Sequence, residues 1–383
     1  MFTRELMEGV RNFVDWCDIQ ASDKIMIVSP SVPPVPEEEV IRALTIAVEE
    51  RGAIAYELRT RPYDMLRGGP VPDYVNEAAK GCNMFLSLTP IEEGNVEISG
   101  MMGVGYGGIR GLKKFCFQYA IVWHQTRTIT AQDMSDLHAR YPQELLREIS
   151  RHVIRRFIKG KTCRVTTPSG TDVTMGLHPD FIEANAIRER RPGGWMGGGF
   201  PGAIYGHVPW KPYNGRIVVD AFMPQWNPPE VYLKPGDAVI TVENDRATTT
   251  SGIYGDWITN ILDRDKNGRW GAECMFGVHP HAWPKPWQSP VQWFMDLHDR
   301  AVALHLAFGN CIGGGGPYYS TVHLDVYTYY PTVYVDGEKV VDSGHLTVFE
   351  DPKLREFAKQ FGDPDFLLTE RPLPKVVENL IKR

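Results

Sequence analysis

The sequence predicts an α/β chain in two parts: an N-terminal α/β (Rossmann-like) domain over residues 1–160, then a β-rich α+β metal-binding domain over residues 161–383. Three observations predict this. Apolar runs alternate with amphipathic helical stretches up to about residue 160, which implies a parallel sheet with crossover helices. After Gly160 the chain turns to short strand-like runs separated by dense Gly and Pro. The later half also carries a spaced set of histidines and acids between Glu273 and Asp325.

Residues 4–20 place Leu6, Val10, Phe13, Val14 and Cys17 on one side of a helix. Lys24 to Val28 is a buried strand, stopped by Pro30, Pro33, Pro34 and Pro36. Pro36 and Glu37 to Glu39 open a helix, because proline suits a first turn and acids suit the positive end of the dipole; Gly52 ends it. Ala53 to Leu58 and Met84 to Leu88 are strands, and Phe115 to Val122 is a fourth. Gly103 to Gly108 imitates a dinucleotide-binding turn. It follows no convincing strand and its spacing does not suit a pyrophosphate, so it is read as a glycine-rich loop. Thr130 caps a helix whose acid is Asp133, and Pro142 to Ile158 forms a second helix with a basic end that reads as a solvated face.

In the second part, Cys163 to Thr167, a turn at Pro168 to Thr171, and Asp172 to Gly176 read as strand, turn, strand. Arg216 to Asp220, Ala238 to Glu243 and Thr332 to Val335 are further strands, and Asp336-Gly337 is a hairpin turn before Glu338. A helix around Trp257 to Leu262 interrupts them, and a short helix with an extended tail follows Lys353.

Composition narrows the function. Of 383 residues, 43% are hydrophobic and 23% charged, which is ordinary for a globular protein. A net charge of −6 gives no electrostatic case for nucleic acid or an anionic membrane as partner. The six cysteines form no Cys-x-x-Cys pair, so neither a zinc knuckle nor a disulfide framework is indicated. No leader-like or membrane-spanning apolar run occurs, and cytoplasm is the expected location. Most of the ten tryptophans fall between Trp195 and Trp293, which suits either packing or a flat-walled pocket for a ring-shaped ligand.

Val322, Leu324 and Val326 alternate with His323, Asp325 and Tyr327, the period of a half-buried strand. His323 and Asp325 therefore share a face, roughly 6.5–7 Å apart at Cα. His305 lies in an apolar run, and Gly313 to Gly316 between the two stretches allows a sharp bend. Two histidines and a carboxylate suit iron(II) in oxygenases or zinc in hydrolases. The alternative is two hydrogen-bonded core histidines and a turn aspartate.

Further motifs add to this set: Pro168 to Val173, Phe200 to Tyr205, Gly271 to Pro280, His305 to Gly309, and His323-Leu324-Asp325. In this order they resemble the aminopeptidase T family of metallopeptidases, whose superfamily includes iron-dependent 2,5-dihydroxypyridine dioxygenases. The resemblance covers residues 160–345 by motif and the earlier half in kind only. It implies that Glu273 stands at the second metal-binding glutamate of the peptidases, and that His305, His323 and Asp325 match their histidines and aspartate. Ala203 stands where the first glutamate is expected, and Ile312 lies near the place of a missing tyrosine.

Losing one carboxylate weakens a two-cation site, since two close cations repel and need anionic ligands around them. The expectation is therefore one metal held by His305, His323 and Asp325, with Glu273 as fourth ligand or base. The dioxygenase branch fits this better than the peptidase branch, with Fe(II) as cofactor and a hydroxylated aromatic or N-heteroaromatic ring and O₂ as reactants. A zinc- or cobalt-dependent aminopeptidase or related amide hydrolase is the alternative. His279 and His281 are candidates for moving the substrate proton, and Trp283, Trp287 and Tyr319 for stacking the ring. The resemblance also implies a homo-oligomer.

Overall fold

The computed structural model describes residues 2–17, 19–31, 37–60, 74, 78, 81–82, 84–87, 114–117, 130–179, 182–184, 203–207, 210–223, 231–282, 300–311, 318, 320, 322–375 and 378–379. The Gly103 to Gly108 stretch, the Gly- and Pro-rich run from Pro192 to Gly202, and Gly313 to Gly316 lie outside them. The fold is mixed α/β with a large antiparallel sheet. Among the described residues the chain separates into two units, the first ending at Gln143 and the second beginning at Glu144.

The first unit is built on a parallel sheet. Strands β1 (Lys24–Pro30), β2 (Ile54–Thr60), β3 (Met84–Ser87) and β4 (Lys114–Phe117) pair in the order β2-β1-β3-β4. Helices α1 (Arg4–Trp16), α2 (Glu38–Glu50) and α3 (Ala131–His138) accompany it. The five apolar positions read from the sequence of α1 are all buried, and they share one core with Ile25 and Ile27 of β1 and Val40, Leu44 and Val48 of α2. The Thr3 hydroxyl caps α1 by accepting from Leu6 N at 3.1 Å.

From Glu144 onward, helix α4 (Gln143–Lys159) belongs to the second unit. Packing gives the reason. Leu145, Leu146, Ile149, Val153 and Phe157 form a buried stripe, and the Phe157 ring lies 5.7 Å from that of Phe276. A helix sorts with the core that covers its apolar face.

Two antiparallel sheets make up most of this unit. The larger has the order β13-β12-β9-β6-β5-β17-β18-β19. In chain order its strands are β5 (Thr162–Thr166), β6 (Asp172–Gly176), β9 (Trp210–Val219), β12 (Ala238–Glu243), β13 (Arg246–Ser251), β17 (Thr332–Val335), β18 (Glu338–Asp342) and β19 (His345–Leu346). The smaller has the order β16-β15-β14-β8-β7, from β7 (Ile182–Ala184), β8 (Ala203–His207), β14 (Gly271–Gly277), β15 (Ala303–Gly309) and β16 (His323–Tyr329). A short ribbon, β10 (Phe222–Met223) with β11 (Val231–Tyr232), and helices α5 (Gly255–Leu262), α6 (Pro352–Ala358) and α7 (Pro364–Leu367) complete it.

The Asp336-Gly337 turn forms as the sequence implies. Both residues take positive φ, 48° and 87°, as a two-residue hairpin of this kind requires. The Asp336 carboxylate also accepts from Thr162 N at 2.9 Å and Lys161 N at 3.1 Å, so the turn pins the start of β5.

Candidate metal centre

Three neighbouring strands of the smaller sheet bring three polar side chains together. Strand β14 pairs with β15 so that Glu273 faces Ala307 and Met275 faces His305. Strand β15 pairs with β16 so that Ala307 faces Asp325 and His305 faces Tyr327. Directly opposed residues project to the same face, as do residues two apart on one strand. Glu273, Ala307 and Asp325 thus form a row across the sheet, and His305 projects from the same face one step along β15. The pairing of β14 slips between Gly271 and Glu273, and such a bulge re-aims the residue that follows it.

The resulting distances are short. His305 Nε2 lies 3.4 Å from Glu273 Oε1 and 3.9 Å from Asp325 Oδ1. One ligand atom from each of the three residues lies within 4.8 Å of the other two. All three residues are buried.

The surroundings explain the convergence. Ala307 stands between the two carboxylates, and its single methyl leaves room that a larger side chain would fill. The ring of Tyr327 lies 4.8 Å from that of His305 and restricts its orientation. Ala272, Ala307 and Cys311 form a small apolar cluster with Tyr318 packed against it, and the Tyr318 ring stacks on Trp270 at 4.7 Å. Gly309 ends β15 with φ of 100°, and a Cβ there would meet Val322 O at 2.1 Å, so only glycine lets β16 return this close.

Two buried carboxylates this close to one another repel, and burial raises the cost of leaving them uncompensated. A divalent cation removes that cost. Ligands held at about 2.1 Å from one ion lie about 3 Å apart when adjacent, so the separations seen here close by small side-chain rotations. Two oxygen donors and an imidazole suit iron(II) or zinc. The three residues fit a divalent metal.

His323, expected as a further ligand, begins β16 opposite Gly309, two residues from Asp325, and its side chain lies outside the described ones. His279 and His281 are placed differently. Both follow the Gly277 end of β14, which the strand rise puts about 13 Å from Glu273. His279 Nδ1 accepts from His281 N at 3.0 Å and Ala282 N at 3.1 Å. His281 Nε2 meets Phe366 O at 2.8 Å, and burial holds this imidazole below its ordinary pKa. These contacts shape the loop after β14, and neither histidine joins the group of three among the described residues. Trp283, Trp287 and Tyr319 lie outside the described residues.

Ala203, which the resemblance puts where the peptidases' first glutamate is expected, pairs with Gly277, four residues along β14 from Glu273, and the β8 residue paired with Glu273 is His207.

The family described as "NicX: 2,5-dihydroxypyridine 5,6-dioxygenase" matches residues 115–348, more than half of the chain. No curated protein matches by sequence. Among solved structures, the fold is similar to that of 2,5-dihydroxypyridine dioxygenase from Pseudomonas putida KT2440, with a TM-score of 0.62 at 12% identity, covering 91% of this chain and 98% of that one. It is also similar to wild-type AmpT from Thermus thermophilus, with a TM-score of 0.57 at 13% identity, covering 91% of this chain and 100% of that one.

Proposed function

From the premise that the chain belongs to the NicX family and is a ring-opening dioxygenase, we propose that it uses one Fe(II) to open a hydroxylated aromatic or N-heteroaromatic ring of the dihydroxypyridine type. The observation that carries the metal part is the buried group of Glu273, His305 and Asp325. We assign His305, His323 and Asp325 as metal ligands and Glu273 as the fourth donor or a nearby base. When bound, the ferrous ion supplies Lewis acidity toward the ring hydroxyl and one-electron chemistry toward O₂.

The protein residues do the rest. Tyr327 and Ala307 hold the imidazole and leave the space between the carboxylates open. Glu273 is the carboxylate nearest His305 and is at hand to accept the proton of the ring hydroxyl. Trp283, Trp287 and Tyr319 wall the ring. Burial of the site keeps bulk water from a reactive ring. Both atoms of O₂ enter the product as one ring bond breaks, so no external reductant is needed.

Oxygen uptake by the Fe(II)-loaded protein with 2,5-dihydroxypyridine tests the reading. Consumption of one O₂ per ring opened, abolished by a chelator, is the expected result. Peptide cleavage by a protein carrying two zinc ions, with no oxygen uptake, would overturn it.

A further inference from the structure

One side of the metal centre is aromatic. Ala307, whose methyl stands between the two carboxylates, clusters with Ala272 and Cys311, and Tyr318 packs against that cluster. The Tyr318 backbone is fastened just beyond β15: Cys311 N donates to Tyr318 O at 3.1 Å, and Tyr318 N donates to Cys311 Sγ at 3.3 Å. Its ring lies nearly parallel to that of Trp270, at 4.7 Å and 12°. Trp270 is held in turn. Gly309 N donates to Trp270 O at 2.7 Å, and the cations of Arg246 and Lys211 lie 5.0 Å and 5.4 Å from the centre of its ring. Glu273, His305, Asp325 and the three members of the cluster are buried, Tyr318 and Trp270 are half-buried, and Lys211 is exposed. The succession from Ala307 through Tyr318 and Trp270 to Lys211 thus runs from the centre toward solvent.

We propose that Tyr318 contacts the ring of the substrate, and that Trp270 is the positioning residue that holds it there. The inference rests on the metal and ring-substrate reading given above. A planar ring bound beside the three donors has as its neighbour the side chain that covers the Ala307 cluster, and that side chain is Tyr318. Aromatic rings packed offset or edge-to-face attract one another beyond the area they bury. Cover for Ala307 alone needs only an aliphatic side chain. The stack on Trp270 and the cations over that ring add something else, a tyrosine held in one orientation. No motif marks the pair, since Trp270 and Tyr318 meet only through the fold.

The test uses the full chain loaded with Co(II), whose visible spectrum reports what the ion binds. Without O₂, it is titrated with 2,5-dihydroxypyridine and with azide, a metal-binding anion that has no ring. Tyr318→Leu should bind 2,5-dihydroxypyridine about 2–10-fold more weakly, with Co(II) and azide bound as in the wild type. Tyr318→Phe, which keeps the ring, should bind both probes as the wild type does. Trp270→Leu should shift in the same direction as Tyr318→Leu by a smaller factor. Thermal unfolding of the metal-free proteins checks that each variant folds, and Trp270→Leu carries the test if Tyr318→Leu does not. An unchanged affinity for 2,5-dihydroxypyridine in the folded variant would overturn the inference. So would equal weakening of both probes, because Tyr318 would then act through the metal. A wild type that binds Co(II) and azide but not 2,5-dihydroxypyridine would overturn the substrate reading, one that binds no Co(II) would overturn the metal reading, and this inference falls with either.

Discussion

The two sheets of the second unit use the same antiparallel pairing and differ in how they meet water. In the eight-stranded sheet, β5, β6 and β17 alternate between buried and more exposed residues. In the five-stranded sheet, all seven residues of β14 and all seven of β15 are buried. A sheet with one wet face can carry its charged residues outside, as with Arg164 and Asp172, which pair at 2.7 Å in the open. A sheet covered on both faces has nowhere to put a charge except inside. Glu273, His305 and Asp325 are there, at a desolvation cost that a structural role does not repay. Only the five-stranded sheet, among the described residues, brings a buried histidine and two carboxylates together.

Removing a charge from the covered sheet should break this contrast most severely. Asp325→Asn keeps the size of the side chain and removes the anionic donor. We expect loss of activity beyond the roughly 100-fold that marks a partner outside the ligand set. We also expect loss of metal-dependent stabilisation. The wild type should gain about 2.7 kcal/mol when metal is present at 100 times its dissociation constant, and the variant should gain almost none. Oxygen-uptake kinetics and thermal unfolding with and without Fe(II) check both. A variant that kept its metal-dependent gain would show that the ion sits elsewhere.

A matched pair of volume changes sharpens the comparison. Ala307→Val adds two methyl groups between the carboxylates and should cost about 1–3 kcal/mol through overpacking while abolishing metal binding. Val173→Ala removes two from the buried side of β6, where Val173 is fully buried. It should cost about 2 kcal/mol and leave metal affinity and kcat unchanged. Denaturant unfolding beside metal titration separates the two. Equal losses of metal affinity in both would mean that the sheets are not divided in their roles.

The same contrast governs how much the sequence reveals. Alternation made β5, β6 and β17 legible, and the Asp336-Gly337 turn announced its hairpin. In the first unit, the five buried positions of α1 and the strands flanking α2 were equally plain. Burial on both faces erased alternation from β14 and β15, so Gly271 to Gly277 reads as a motif with no visible element. His323 and Asp325 could be paired because β16 still alternates. Glu273 was singled out by family resemblance alone, whereas His305 already stood out as a histidine in an apolar run. The pairing of β8 with β14 left no mark in the sequence, because strand register is set over long sequence separations. His279 and His281 attracted a proton-transfer role because histidine is suited to it; in the structure their rings contact the loop after β14 and Phe366 O.

Those loop contacts also show where the two sheets are tied together. His345 of β19, at the end of the eight-stranded sheet, meets Glu370 through Nδ1 at 2.6 Å and lies 3.5 Å from Glu350. The same C-terminal segment reaches the loop after β14, where Phe366 O meets His281 and Arg371 N donates to Pro280 O at 3.0 Å. The hydrogen bond with Glu370 raises the His345 pKa above its ordinary 6.5. A histidine with a raised folded-state pKa contributes stability that is fully present below its unfolded value and is lost as pH rises through the folded one. The tie should therefore loosen as pH climbs through and above neutrality, and because His345 is partly exposed the effect should not exceed about 1 kcal/mol. Hydrogen-exchange protection of residues 364–371, corrected for intrinsic rates, should fall over that range in the wild type. In His345→Gln it should be lower at acid pH and flat on the alkaline side, with the Co(II) affinity of the metal centre unchanged. A fall of the same size in the variant would assign the pH dependence to other groups and leave the tie between the sheets independent of His345.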